Sequence, residues 1–572
     1  MSAQGISERP VDQAVVDSLA GAGLDPLKAR LLALRGVDSA GLDAFLNPSA
    51  RNLSDPSLLP GVSKAAETIL SHIGRAGRIV VFGDYDCDGI CATAILAMTI
   101  SRLSGEEKVA AFLPERLEEG YGMTKAAIDR MLETHPDASL VVTVDNGINS
   151  VDEVDLLKAM GVEVIVTDHH LPGDRLPDCT VVNPRVAAPE ELANLCGAGV
   201  AFMLSGALTK LAVEKGVYSG EKFSGPLVVL AGLATVTDIM PLSGQNRVLV
   251  ASALRLFRRY APLGLAELYA RAATKYADRM TSKDFGFLLG PRINAAGRMA
   301  SGTEALELLL SADREDARNL AMRLDARNSE RKTVEQDMID AAAAQLVPVA
   351  DAQVVFLPGA HQGVAGIVAA RLLERAKVPV CVIVDYHGSA RAPEGYNLRN
   401  ALEKCANVLD RFGGHAAAAG LSVKPGCEES FRELFAAACR EQREANPDCD
   451  AASVKVDAIL PLRGTQSAYA LEIADWILNS LEPFGEGNPE PVFAFEGAHL
   501  ADVRVFGDRG RHIQLKFREC PWFRAIWWNA GDKAEELRAT SAKAKNVVFS
   551  LDVSDYGDRH AELRVREILP TP

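Results

Sequence analysis

The chain has 572 residues, 48% hydrophobic and 24% charged, which suits a folded protein of two to four domains and excludes a disordered or fibrous one. No apolar run reaches the roughly 18 uninterrupted residues of a membrane span, and MSAQGISERPVDQAVVDSL lacks the basic and apolar regions of a secretory signal. A net charge of −15 argues weakly against a nucleic-acid partner, although a total conceals local balance.

Residues 1–75 read as a polar helical extension, broken by NPSARNLSDPSLLP at 47–60 and expected to pack on the domain that follows. From 78 to 240, short apolar runs alternate with helical segments: RIVVF (78–82), SLVVTV (139–144), VEVIV (162–166) and VVLAGLATV (228–236). Near-continuously apolar strands belong to sheets covered on both faces. Residues 76–302 are therefore expected to form a doubly wound α/β domain with a mostly parallel sheet. Residues 303–346 contain neither Gly nor Pro and space their apolar residues near 3.6, as a long helical connector does. A second α/β domain is expected over 347–445, with strands near VVFLP (354–358) and VCVIVD (380–385), and ANPDCDAAS (445–453) reads as a linker. Residues 453–572 alternate in HIQLKF (512–517) and NVVFSLDV (546–553), the pattern of a small antiparallel barrel.

Two stretches are locally basic. Residues 251–300 carry nine Lys/Arg against three acids, and residues 501–528 carry six against three. The second also holds Phe506, Phe517, Trp522, Phe523, Trp527 and Trp528. Cations interleaved with aromatics suit phosphates and stacked bases, and a sheet core with a solvated face produces the same pattern. The ten cysteines are scattered without a CxxC pair, which reads as buried thiols in a reducing cytoplasm.

The apolar runs of the first domain share one feature. RIVVF passes through Gly83 into Asp84, with Asp86 and Asp88 close behind; SLVVTV runs into Asp145; VEVIV passes through Thr167 into Asp168-His169-His170; LATVT runs into Asp238. Ligands bind outside the carboxyl ends of parallel strands, so these clusters converge on one crevice. A single acid after a strand is commonly a cap or turn, but four such ends, one with a His-His pair, are hard to explain as independent caps. Carboxylates crowded together stay ionised only when cations compensate them. Oxygen and imidazole donors without thiolates suit Mn²⁺ or Mg²⁺, and two ions about 3.5–4 Å apart form the standard clamp for attack on a phosphodiester.

GDYDCDG, VTVDNGI, TDHHLP and TVTDIMPL resemble the four ordered motifs of the DHH phosphoesterase superfamily. LPERLEEGYG (113–122), GPRINAAGRM (290–299), HQGVAGIVAARL (361–372), GSARAPEGYNL (388–398), RFGGHAAAAG (411–420) and PFGEGNPEP (483–491) extend the resemblance over nearly the whole chain to the bacterial RecJ family of single-strand-specific 5′→3′ DNA exonucleases. That resemblance implies a DHH domain, a helical connector, a DHHA1-like substrate-binding domain and a C-terminal OB-like barrel. It implies Asp84, Asp86, Asp145, His169 and Asp238 as ligands of two ions, with Asp145 bridging them. His170 then faces the substrate phosphate, Asp168 orients a histidine, and Asp88 is either a support behind the ligands or a turn acid. It further implies a 5′-phosphate pocket of Arg116, Ser389 and Arg391, nucleic-acid contacts at His361 and His415, and Arg292, Asn294 and Arg298 along the strand's path. GSARAP departs from the family's commoner GSGRS, so Ala390 and Pro393 alter that pocket's shape. The implied activity is metal-dependent release of mononucleotides from the 5′ end of single-stranded DNA, in repair and recombination. The implied setting is a cytoplasmic monomer, away from membranes, working with single-strand-binding protein and a helicase. Two other readings share the DHH motifs. A phosphodiesterase for short oligoribonucleotides or cyclic dinucleotides does not need the third region, and a catalytically silent DNA-binding scaffold does not keep every acidic and His-His residue.

Overall fold

The computed structural model describes residues 5–115, 118–120, 122–220, 223–273, 279–446, 453–554 and 558–571. The N-terminal extension is divided between two parts of the molecule rather than packed wholly on the first domain. Strand β1 (Gly5–Glu8) pairs in parallel with Ser453–Val456. The helices that follow, Gln13–Gly21 and Pro26–Ala33, open on Asp12 and Asp25, whose side chains accept the free N–H groups of the first turn. Their apolar faces (Val16, Leu19, Leu31, Leu32) are buried in one core with the C-terminal region. Leu59 and α1 (Val62–Ile73) join the core of the first domain instead. An amphipathic helix shows that a face must be covered but not by what.

In the first domain, β2 (Arg78–Phe82) leads into α2 (Cys87–Ser104), followed by β3 (Val109–Phe112), β4 (Ala138–Val144), β5 (Glu163–Thr167) and β6 (Thr180–Val182). These strands form a parallel sheet in the order β3-β2-β4-β5-β6. Alternate residues enter opposite cores: Ile79, Val81, Leu140 and Val142 on one face, Val80, Phe82, Val141 and Val166 on the other. Helices α3 (Gly197–Glu214), α4 (Ser224–Thr237) and α5 (Gly244–Tyr260) complete the first of these cores. α2 and α3 are long and apolar enough to cross a membrane, but 78% and 56% of those segments is buried inside this fold.

The run at 228–236, expected as a strand, lies within α4, where Leu227–Thr235 is buried. A run apolar on all sides fits a buried helix as well as a buried strand. Ser-Gly-Pro at its start opens a helix, and Gly232 lets α5 approach until a Cβ would stand 2.3 Å from that of Ala253. Asp238 therefore caps a helix rather than ending a strand.

A π-helical turn at Asp284–Leu289 precedes α6 (Gly290–Met299), and the connector is two helices, Thr303–Leu310 and α7 (Arg314–Ala343). The second domain contains β7 (Gln353–Phe356), α8 (Ala365–Ala376), β8 (Val380–Val384), β9 (His387–Arg391), β10 (Leu409–Gly414) and β11 (Ala418–Val423). Its sheet runs β10-β11-β9-β8-β7, with only β7–β8 parallel. RFGGHAAAAG is thus a hairpin at a sheet edge.

The C-terminal region adds β12 (Ser453–Val456), β13 (Ala458–Ile459), β14 (Phe493–Ala498), β15 (Leu500–Phe506), β16 (His512–Phe517), β17 (Arg524–Trp527), β18 (Lys545–Ser554) and β19 (His560–Pro570). Seven of these form a mixed sheet, β13-β14-β18-β19-β17-β16-β15, and its end strands are not paired with each other. Its aromatics divide as the charge pattern left open. Phe517 and Phe523 fill the core, whereas Trp522 and Trp528 are 46% and 48% exposed.

Candidate active site

Four element ends deliver the acidic and histidine clusters to one crevice. Asp84 is buried after β2. Asp86 caps α2, its Oδ1 accepting from Asp88 N (3.0 Å) and Gly89 N (3.1 Å). Asp88, buried in the first turn, accepts from Gly197 N and Ala198 N (2.7 Å each) at the start of α3. Both helix N-termini favour these negative charges. Asp145 follows β4 at φ 62°, a left-handed conformation that Asp tolerates better than most residues. Its buried Oδ1 accepts no hydrogen bond among the described residues and lies 3.1 Å from His169 Nε2. The same Nε2 is 3.7 Å from Asp88 Oδ2 and 3.7 Å from Asp238 Oδ2. Two glycines permit this crowding. A Cβ at Gly89 would stand 2.6 Å from that of Asp84, and one at Gly197 would stand 2.5 Å from that of Asp145.

The donor atoms of Asp84, Asp86 and Asp145 lie within 4.8 Å of one another, as do those of Asp88, His169 and Asp238, and those of Asp145, His169 and His170. The electrostatics match a cation site. Burial, then repulsion from Asp88, Asp86 and Asp84, drives Asp145 well above the usual carboxylate range. Burial and the same two neighbours, Asp88 and Asp86, push Asp238 up to about 9, and burial and Asp88 raise Asp86. Positive charge among them removes that penalty. Burial lowers His169, which keeps its imidazole neutral and fit to donate a lone pair. His170 behaves oppositely. Burial pulls it down, but the hydrogen bond to Asp168, Nδ1 to Oδ1 at 2.7 Å, and that carboxylate's charge hold it at about 9. Burial would raise Asp168, yet His170 and the N–H groups of Ile148 and His170 keep it below the usual range.

The expected substrate residues are more dispersed. Arg116 lies outside the described residues. Ser389 lines a cleft of about 460 Å³ between Glu118–Gly120 of the first domain and Gly363, His387 and Arg411 of the second. Arg391, on the same strand, donates to the Ala390 carbonyl and is lowered by burial. His361 Nδ1 accepts from Gly363 N (3.2 Å) at the start of α8's leading turn, and His415 is exposed in the β10–β11 turn. Asn294 Oδ1 accepts from Cys87 N (2.8 Å), pinning the loop between Asp86 and Asp88. Arg298 donates to Gly363 O (3.1 Å), joining α6 to the second domain. Arg292, also expected along the strand's path, is held within the protein. It pairs with Asp325 Oδ1 of α7 (2.9 Å) and with Leu288 O, and its side chain is 11% exposed, so it ties down the connector.

Comparison with known proteins follows the same divisions. Residues 78–221 match the model of the DHH family N-terminal domain, residues 350–441 the DHHA1 domain and residues 461–567 the RecJ OB domain. The chain is 34% identical over 580 residues to the single-stranded-DNA-specific exonuclease RecJ of Escherichia coli (strain K12), covering 96% of each. It is 32% identical over 577 residues to that of Salmonella typhimurium, again covering 96% of each. The chain belongs to the RecJ family. The crystal structure of RecJ in complex with Mn²⁺ from Thermus thermophilus matches it with a TM-score of 0.82 at 30% identity, over 99% of this chain and 79% of that one. A Mg²⁺ complex of RecJ from the same organism matches with a TM-score of 0.77.

Within this RecJ-family fold, both oxygens of Asp88 hold the start of α3, and one of them also lies in the group with His169 and Asp238. The sequence reading missed the backbone donors at Gly197 and Ala198. Their only trace in the sequence is the small-residue string CGAG (196–199), which let α3 approach so closely. Crowded, buried carboxylates, with hard oxygen and neutral imidazole donors, fit Mn²⁺ or Mg²⁺.

Proposed function

We propose that this chain is a metal-dependent phosphodiester hydrolase, an exonuclease specific for single-stranded DNA that works from the 5′ end and releases mononucleotides in DNA repair and recombination. The observation that carries this reading is the pair of donor groups meeting at Asp145 and His169 in one crevice. In it, Asp84, Asp86 and Asp145 would hold one ion, and Asp88, His169 and Asp238 would hold another. Divalent ions bound there supply Lewis-acid polarisation of the phosphodiester and of the attacking water.

The chain's own groups do the rest. Asp168 fixes His170 as a protonated donor facing the phosphate, where it offsets charge or passes a proton to the leaving oxygen. His169 stays neutral as a ligand. Ser389 and the arginine-bearing cleft beside it receive the 5′-terminal phosphate, and a guanidinium fork suits that geometry. The C-terminal sheet, with its exposed Trp522 and Trp528, receives bases further along the strand. A helicase and single-strand-binding protein supply and keep open the strand for this monomeric, cytoplasmic enzyme. The free thiols of the described cysteines accord with a reducing compartment. The test is digestion of 5′- and 3′-labelled single strands and of a blunt duplex with Mn²⁺ or Mg²⁺. Mononucleotides should come from the 5′ end of the single strand, and 3′-end release or preference for the duplex would overturn the proposal.

A further inference from the structure

The turn that carries Asp238 is strained and gripped from outside its own domain. Ile239 has φ 57° and is 70% exposed. A β-branched residue in the left-handed region is an outlier, and such a conformation persists only where the surroundings over-determine it. Within the first domain, Met240 N donates to Thr235 O (3.1 Å), and Asn246 Nδ2 donates to Pro241 O (3.1 Å). A further grip comes from PFGEGNPEP, a motif to which the catalytic reading gives no role. Leu242 N donates to Glu486 O at 2.7 Å. Gly485 and Gly487 approach so closely that a Cβ would stand 2.7 Å from Leu242 Cδ1 and 3.3 Å from Pro241 Cβ.

The gripping loop is itself firmly held. Asn488 Nδ2 donates to Leu481 O and Pro483 O (2.7 Å each), and Arg35 Nε donates to Asn488 Oδ1 (2.8 Å). Glu482 accepts from Phe484 N (2.9 Å) and Ser282 Oγ (3.2 Å). Arg247, one helix on from the strained turn, donates to Ser480 O and Leu481 O. A cavity of about 610 Å³ opens beside the contact and is lined by Ile239, Leu242, Phe484 and Glu486.

We infer that the PFGEGNPEP loop is a positioning element for the metal centre: it sets the Ile239–Leu242 turn and through it the Asp238 carboxylate, coupling the C-terminal region to catalysis. The inference rests on the reading of Asp238 as a metal ligand. It differs from a role in mere cohesion between domains, because displacing the loop should act through Asp238 alone.

The experiment is calorimetric titration of the full chain with Mn²⁺ alone, in wild type, Gly485→Val, Gly487→Ala, Asp238→Ala and the double variant Asp238→Ala/Gly485→Val. Thermal melts and oligothymidylate binding in EDTA accompany it. Gly485 and Gly487 are exposed, so neither substitution opens a core. Each should weaken Mn²⁺ binding about tenfold, the scale for groups that orient a ligand, with oligonucleotide affinity unchanged and melting lowered, in Gly487→Ala by the φ of 70° and in Gly485→Val by the shift forced on Leu242. Gly485→Val should add no further loss once Asp238 is gone. Wild-type Mn²⁺ binding in both glycine variants, or an equal loss with and without Asp238, would overturn the inference. If Asp238→Ala itself binds Mn²⁺ as wild type does, the ligand assignment falls instead.

Discussion

Asp88 has both oxygens tied to the N–H groups of Gly197 and Ala198 and still lies 3.7 Å from His169 Nε2, so one side chain serves a helix start and the crevice together. Asp88→Asn keeps the shape but turns an NH₂ group toward a backbone donor. It should cost about 1–3 kcal/mol in stability for the buried group left unpaired and weaken Mn²⁺ binding, as thermal melting and calorimetric titration would read. The Asp168–His170 pair gives a second prediction. With His170 held at about 9, activity that needs its proton persists at neutral pH and is lost as pH rises through that value. Asp168→Asn removes the charge that holds it there, so the alkaline limb of the pH–rate profile should move to lower pH. The rate at neutral pH should fall about 10–100-fold. Asp84, Asp145 and His169 could be found in the sequence because each follows an apolar run that ends at the crevice. Asp88 could not, because its partners are 109 and 110 residues away and its own neighbours look like an ordinary helix start.

At the scale of elements, β2, β4 and β5 were legible because a strand buried on both faces has no polar side to blur its limits. The same lack of a polar side hid α4, whose apolar run is helical and ends at Asp238. The β10–β11 hairpin was hidden for another reason: Gly and Ala carry neither period, and their exposed glycines give no burial pattern. The junction of β2 with α2 makes a sharp prediction. A Cβ at Gly89 would lie 2.7 Å from the Asp84 backbone N and Cα, atoms that cannot rotate away. Gly89→Ala should cost about 1–3 kcal/mol as overpacking and displace Asp84, so melting temperature and Mn²⁺ affinity should fall together.

For the molecule as a whole, the crevice links metal, pH and stability. Burial and mutual repulsion raise Asp145 and Asp86 above the ordinary 3.8 and hold Asp238 at about 9. A raised carboxyl stabilises the fold fully below its unfolded value, and that contribution is lost as pH rises through its folded value. In EDTA, the melting temperature should therefore fall from pH 6 to pH 9. Stabilisation by Mn²⁺ should grow over the same range, because ions replace the lost protons. Differential scanning calorimetry at several pH values would check both slopes. The partition of the N-terminal extension was not legible, since pairing across the whole chain leaves no local mark on either segment. It also has a cost in time. β1 finds its partner strand about 450 residues later. At a synthesis rate of about 5–20 residues per second, a growing chain displays Leu19, Leu31 and Leu32 uncovered for roughly 20–90 s. A segment made so long before its partner stays unburied, and throughout that interval it is a standing target for chaperones and proteases.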